Sequence, residues 1–194
     1  MSIVYRYDYQ SPLGCIVLAG TKKGLTGLWF EGQKYFGSTL PEDCERLDDA
    51  ALLPVFEKTV QWLDLYFQGE KPDFLPELYF DASPFRMAVW EILLAIPYGQ
   101  TMTYGEIADI LAARRGAAGA PGHCKISGMS AQAVGGAVGH NPISIIVPCH
   151  RVLGVGKKLT GYAGGMVRKQ KLLELEGIRY CVDQSKEVKI DQQK

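Results

Sequence analysis

Short apolar runs dominate the first third of the chain, and wider helical spacings take over after it. Ile3-Val4-Tyr5-Arg6-Tyr7-Asp8-Tyr9 is rich in β-branched and aromatic residues and ends at a turn, Ser11-Pro12-Leu13-Gly14. Cys15-Ile16-Val17-Leu18-Ala19 and Leu25-Thr26-Gly27-Leu28-Trp29-Phe30 follow, parted by Gly20-Thr21-Lys22-Lys23-Gly24. This pattern predicts a meander of about three strands. Over residues 51–67, Leu52, Val55, Phe56, Val60, Leu63 and Phe67 recur at helical intervals. A Pro-rich stretch from Lys71 to Pro76 breaks that period and leads into Asp81-Ala82-Ser83-Pro84. The expected division is a strand-rich unit over 1–80, a helical unit over 82–178 and a polar tail over 179–194.

The helical unit carries clear start signals. Ser83 is placed to cap and Pro84 to occupy the first helical position, with Phe85, Val89, Leu93 and Ile96 as the buried stripe. Thr103-Tyr104-Gly105-Glu106 has the spacing of a capping box and opens a second helix through Ile107, Ile110 and Leu111. Residues 114–128 are rich in Gly, Ala and basic side chains and read as a loop. Ser130 then caps a short helix over Ala131, Gln132, Ala133, Val134, Gly135, Gly136, Ala137 and Val138, which has almost no side-chain bulk. Glycine costs a helix about 1 kcal/mol against alanine, so either tight helix packing or close approach to a flat partner must compensate. Two helices joined this way resemble a helix-turn-helix with a long joint. A last helix, Val167 to Glu176, should stop at Gly177.

Composition narrows the class. The chain has 194 residues, 47% of them hydrophobic and 22% charged, enough for a buried core. The N-terminus lacks a basic leader, and no stretch reaches the ~20 apolar residues of a membrane span, so a cytoplasmic protein with no membrane partner is expected. Five scattered cysteines, without a CxxC pair, argue against a disulfide framework and a closed zinc site. His123-Cys124 is the nearest thing to a metal fragment, but no second pair stands at a suitable distance, and neither metal nor cofactor is expected. The net charge of zero conceals a segregation. Residues 1–99 hold 8 Lys/Arg against 14 Asp/Glu, and residues 100–180 hold 10 against 4. A polyanion meeting the second half, or merely two solvated faces of unlike sign, would account for it.

The informative segment is Asn141-Pro142-Ile143-Ser144-Ile145-Ile146-Val147-Pro148-Cys149-His150-Arg151-Val152. An apolar extended run delivers a cysteine just after a proline, which removes a backbone donor and stiffens the approach. A thiol reacts as its thiolate, favoured by a nearby base or cation, and His150 and Arg151 are candidates. Glu176, distant in sequence, could orient the histidine in a Cys-His-Glu relay. A buried inert cysteine beside a surface histidine is the competing reading.

The wider pattern decides between them. Pro84-Phe85-Arg86-Met87-Ala88-Val89-Trp90, Ile96-Pro97-Tyr98-Gly99-Gln100-Thr101-Met102-Thr103-Tyr104, Gln132-Ala133-Val134-Gly135-Gly136-Ala137, Asn141-Pro142, Pro148-Cys149-His150-Arg151-Val152 and Gly161-Tyr162-Ala163-Gly164-Gly165 together resemble the O6-alkylguanine-DNA alkyltransferases, or methylated-DNA–protein-cysteine methyltransferases. The resemblance covers roughly residues 82–178. It implies an α/β N-terminal domain, a small antiparallel sheet plus helix of ribonuclease H-like form. A C-terminal all-α winged helix-turn-helix domain would follow, in a monomer without cofactor. It implies binding of double-stranded DNA through the minor groove and rotation of an alkylated guanine out of the stack. Cys149 would take the alkyl group irreversibly, once per molecule, with His150 as water-bridged base, Glu176 as its holder and Asn141 as brace of the turn. Tyr104 would help rotate the nucleotide and donate to the guanine ring. The carbonyls of Cys149 and Val152 would accept from the base, and the Ala163 amide would meet the leaving oxygen. Ala131, Gln132, Gly135, Gly136, Arg151 and Tyr162 complete the expected DNA- and substrate-binding set. Gln132 departs from the pattern, since many members carry an arginine there.

Three competing functions start from the same residues. A binder of alkylated guanine that transfers nothing would lack the acceptor cysteine. A winged-helix alkylation sensor needs an output domain, and none is evident. A thiol hydrolase or redox enzyme needs turnover or a resolving cysteine, and no other cysteine is near in sequence.

Overall fold

The computed structural model describes residues 3–117 and 130–182, without the side chains of 115–117. The side chain of Arg115, the residues His123, Cys124 and Lys125 of the long joint, and the tail from 183 lie outside what is described. The expected meander is present as β1 (Tyr5–Ser11), β2 (Gly14–Thr21) and β3 (Gly24–Phe30), paired antiparallel from Ser11↔Gly14 and Ile16↔Phe30. A fourth strand, β4 (Glu45–Arg46), lies parallel to β1, so the sheet is mixed rather than purely antiparallel, in the order β3-β2-β1-β4. Helix α1 (Pro54–Phe67) buries Val55, Phe56, Trp62, Leu63 and Tyr66, which pack with Ile16, Leu18, Leu28 and Phe30 in one core. Each such side chain removed from water contributes ~1.5–3 kcal/mol. Leu52, expected in this stripe, falls in a 3-10 turn before α1 and is exposed.

Beyond the Pro-rich stretch come α2 (Pro84–Leu94), β5 (Met102–Thr103), α3 (Tyr104–Ala117), α4 (Ala131–Gly139), β6 (Val152–Leu153) and α5 (Met166–Leu175). The expected caps form. Ser83 Oγ accepts from the Arg86 amide at 3.5 Å and Ser130 Oγ from the Ala133 amide at 3.1 Å. Thr103 and Glu106 exchange bonds in both directions, at 2.7 and 3.2 Å. Gly177, at φ +68°, ends the last helix. Two expectations need correction. The C-terminal part is not all-α, because β5 and β6 pair in parallel, Met102↔Val152 and Thr103↔Leu153. Helix α3 runs on through Ala117, where a loop from 114 was expected, and carries Arg114 to within 3.5 Å of Glu91. Trp90 Nε1 donates to the Ala137 carbonyl at 3.0 Å and pins α4 against α2.

The two parts are joined through the backbone. Leu25 exchanges bonds with Glu77 and Tyr79 of the linker, and Leu28 with Pro142 and Ser144. The edge of β3 is thus paired with the segment that leads to Cys149. An edge strand left open would invite aggregation, and here its free amides instead hold the chemistry in register.

Candidate active site

Cys149 opens a single 3-10 turn, Cys149–Arg151, at the end of a tightly folded stretch of buried apolar residues. Asn141 organises that stretch. Its Nδ2 donates to the carbonyls of Ile143 (3.1 Å) and Val147 (2.8 Å) and to Cys149 Sγ (3.1 Å), while Oδ1 accepts from the Ile143 amide (3.0 Å). The bonds hold Ile145 at φ +68°, a left-handed conformation that costs a β-branched residue ~1–3 kcal/mol. One amide thus both braces the turn and supports negative charge on the sulfur.

Behind the cysteine lies a carboxylate saturated with donors. Glu176 Oε1 accepts from Tyr66 Oη (2.7 Å), His150 Nε2 (2.7 Å) and Arg151 Nη2 (3.0 Å). Its Oε2 accepts from Arg151 Nε (2.8 Å) and the Gly99 amide (3.1 Å). Burial opposes its ionisation, but the hydrogen bonds from His150 and Arg151 and the charge of Arg151 prevail and bring the carboxyl down to about 2. Burial also lowers His150, outweighing the pull of Glu176, so the imidazole is neutral at pH 7. With Nε2–H given to Glu176, the other nitrogen, Nδ1, carries the lone pair. That atom is buried and has no hydrogen-bond partner among the described residues. The tautomer is fixed as a base.

Lys169 is the unexpected member. It is fully buried on α5, and its Nζ donates to the carbonyls of Val152 (2.7 Å) and Thr160 (3.2 Å). Burial lowers it to about 8, opposed by its attraction to Cys149. Burial pushes the Cys149 thiol up, against the Asn141 bond, the Lys169 charge and the amides of Cys149 and His150, which pull it down. At rest the thiol therefore stands above its ordinary value, contrary to the expectation of a lowered one, and its activation depends on those three supports.

Cys149 lines a cavity of about 390 Å³ together with Tyr104, Gly135, Gly136, Tyr162 and Ala163 from the expected set. Lys34, Tyr35, Val138, Gly139, His140 and Gly161 complete the lining. Tyr104 Oη meets Thr160 Oγ1 at 3.1 Å, and burial keeps the phenol protonated. A Cβ on Gly135 would stand 3.8 Å from the Tyr104 ring, ordinary contact, and one on Gly136 would meet nothing within 4 Å. Internal packing does not demand glycine at 136. Ala131 and Gln132 lie on the exposed first turn of α4, outside the cavity lining. The Val152 carbonyl, expected to accept from the base, is already bonded to Lys169, which leaves it one lone pair.

Arg151 requires correction. It is only 7% exposed, its guanidinium bonded to Glu176 and to the Ile96 carbonyl (2.7 Å), so it cannot reach a DNA backbone. Two of the ten basic residues over 100–180, Arg151 and Lys169, are interior, which weakens the charge argument for a polyanion. Tyr66 and Lys169 were not anticipated. Lys169 falls on the buried stripe with Leu172 and Leu173, and a lysine at i, i+3, i+4 with two leucines was the available signal. Tyr66 had none, since its partner lies 110 residues away.

Comparison with known proteins agrees with this geometry. Residues 3–79 match the family described as 6-O-methylguanine DNA methyltransferase, ribonuclease-like domain, and residues 84–178 its DNA binding domain. A methylated-DNA–protein-cysteine methyltransferase of Mycobacterium tuberculosis is 45% identical over 93% of this chain and 97% of its own, and one of Haemophilus influenzae 38% over 93% and 90%. The crystal structure of the Mycobacterium tuberculosis protein in complex with DNA superposes with a TM-score of 0.71 at 42% identity, covering 89% of this chain and 92% of that one. With both family domains matched over residues 3–79 and 84–178, and with relatives 38–45% identical over nearly the whole chain, this chain belongs to the 6-O-methylguanine DNA methyltransferase family.

Proposed function

We propose that this protein repairs double-stranded DNA directly, by moving the alkyl group of an O6-alkylated guanine onto Cys149. The observation that carries the reading is the Cys149 sulfur, bonded to Asn141 and lining a cavity wide enough for a base, beside a neutral His150 whose Nδ1 is free to accept. The thiol proton passes through a bridging water to Nδ1. The sulfur displaces the guanine oxygen in line: the S–C bond forms, the C–O6 bond breaks, and the electron pair stays on the base. Tyr104 donates toward the base, which takes up one proton in balance with the one His150 received from the thiol and leaves as neutral guanine, and the Ala163 amide meets its oxygen. The product thioether resists hydrolysis, so each monomer acts once. In this reading residues 82–178 form a winged helix-turn-helix whose α4 enters the minor groove, with Gly136 left bare for the DNA, and residues 1–80 support it.

Intact-mass measurement after mixing with duplex DNA containing O6-methylguanine tests the reading. The expected result is one methyl group per chain, mapped to Cys149. Sustained turnover, or an adduct on Cys124, Cys181 or another cysteine in place of Cys149, would overturn it.

Gln132 provides a second test. Its exposed position at the start of a helix of Ala, Gly and Val leaves it projecting alone, placed to fill the gap left by the rotated base. A neutral amide stabilises that state less than a guanidinium, which stacks and bonds in one plane. Gln132→Arg is expected to speed duplex repair and Gln132→Ala to slow it, by ~1–2 kcal/mol, with little change toward the free alkylated base. Equal changes on duplex and free base would assign Gln132 to pocket shape instead.

A further inference from the structure

The N-terminal part does more than support the site. The loop after β3 enters the reaction cavity, where Lys34 and Tyr35 join Cys149 in the lining. Two contacts fix it there, and Arg168 ties the facing wall to the same sheet. Gln33, itself buried, accepts at Oε1 from Ser144 Oγ (3.2 Å), five residues before the nucleophile. The Lys34 amide donates to the Ala163 carbonyl at 3.0 Å, on the opposite wall. Arg168 lies over the Phe30 ring at 4.7 Å and donates to the carbonyls of Leu13 (3.1 Å) and Gly164 (3.2 Å), tying the 161–165 segment to the same sheet. Between these anchors Tyr35 stacks on His140 at 4.0 Å, with Lys34 Nζ 4.9 Å from its ring centre. Tyr35 is 40% exposed and held at φ +60°, where a tyrosine is strained. A strained aromatic residue held by neighbours on a cavity edge is a wall, not a core residue.

We propose that Tyr35, backed by His140 and Lys34, sets the upper size of the O6 substituent this protein accepts. The inference rests on the alkyl-transfer reading above. The rest of the lining explains why one ring can do this. Gly135, Gly136, Gly139, Gly161 and Ala163 contribute almost no bulk, so the space for a chain longer than methyl depends on the few large side chains present. Tyr104 and Tyr162 are held in place, Tyr104 by Thr160 and Tyr162 by packing, half-buried, against the core. Tyr35 alone of these tyrosines is on an exposed loop, where removing its ring opens the cavity without emptying the core.

The test measures single-turnover transfer from one duplex carrying either O6-methylguanine or O6-benzylguanine. Tyr35→Gly removes the ring and suits the positive φ, so the backbone is relieved rather than strained. The benzyl-to-methyl rate ratio is expected to rise about tenfold or more, the scale set by a few added carbons in a fitted pocket. Tyr35→Trp is expected to lower the ratio, and His140→Ala to raise it by removing the backing. A ratio unchanged in Tyr35→Gly and Tyr35→Trp, including equal losses of both rates, would overturn the proposal and leave Tyr35 a structural strut. If the glycine variant does not fold, the tryptophan variant decides on the same criterion. A wild-type chain that gains mass from neither duplex would overturn the alkyl-transfer reading itself, an outcome distinct from an unchanged ratio.

Discussion

Glu176→Gln is expected to destabilise the protein by about 3–5 kcal/mol, the cost of leaving a buried charge without its partner. The carboxylate receives five donor bonds, from Tyr66, His150, Gly99 and two nitrogens of Arg151. Glutamine keeps the shape, but its amide turns donors toward Arg151 or His150 and strips Arg151 of its counter-charge. For a chain of this size the melting temperature should fall by ~6–20 °C. The sign of the pH dependence follows from the carboxyl. Its folded value of about 2 lies below the ordinary 4.5, so its contribution, ~3 kcal/mol, is present in full above pH 4.5 and is lost as pH falls toward 2. The variant should lack that component of acid sensitivity. Alkyl transfer should slow on the order of a hundredfold, because His150 loses the bond that fixes its tautomer. Thermal melts from pH 7 down to pH 3, paired with single-turnover rates, check both halves. A variant as stable as the wild type at pH 7 would mean that Arg151 and His150 find other partners.

How much of this was legible in the chain depends on the reach of each interaction. Local signals were read well: Ser83 and Ser130 cap, Thr103 and Glu106 pair, and Gly177 stops the last helix, because each involves residues three or four apart. Asn141, Cys149, His150 and Glu176 were singled out on their types and on the family resemblance, and the fold brings them together. Arg151 was misread for a physical reason. A cation beside a nucleophile reads as a phosphate contact until the buried carboxylate that claims it is seen, 25 positions away. Tyr66 and Tyr35 belong to the half whose own pattern signalled only strands and a helix. Tyr35 is placed by β3 pairing with the Pro142–Ser144 backbone and Tyr66 by its bond to Glu176, long-range contacts that no local spacing encodes. Strand β4 and the β5–β6 pair are two residues each, too short to leave a periodicity.

Lys169→Met is expected to separate stability from reactivity. The ammonium is buried and, among the described residues, meets two carbonyls, Val152 and Thr160, and no carboxylate. Its folded value of about 8 lies below the ordinary 10.5 because burial penalises the charge. The unfolded chain therefore holds that proton more tightly, and the fold bears the full penalty at pH values below 8. The penalty shrinks as pH rises from 8 toward 10.5. Methionine removes it and forfeits two hydrogen bonds of ~1 kcal/mol each, so the variant should be more stable at neutral pH by roughly 1–2 kcal/mol. The thiolate, however, loses the Lys169 charge that pulls the Cys149 thiol down. At an effective dielectric of about 20, a unit charge roughly 5–8 Å from an anion is worth ~2–3 kcal/mol to it. The thiolate fraction at pH 7 should fall roughly 30- to 150-fold, and the pH profile of alkyl transfer should move to higher pH by about two units. Titration of thiol reactivity with an alkylating probe, run beside thermal melts, reads both effects on one sample. Lower stability with an unshifted profile would make Lys169 a structural tie between α5 and the 152–160 segment, and activation of Cys149 would then rest on Asn141 and the His150–Glu176 pair.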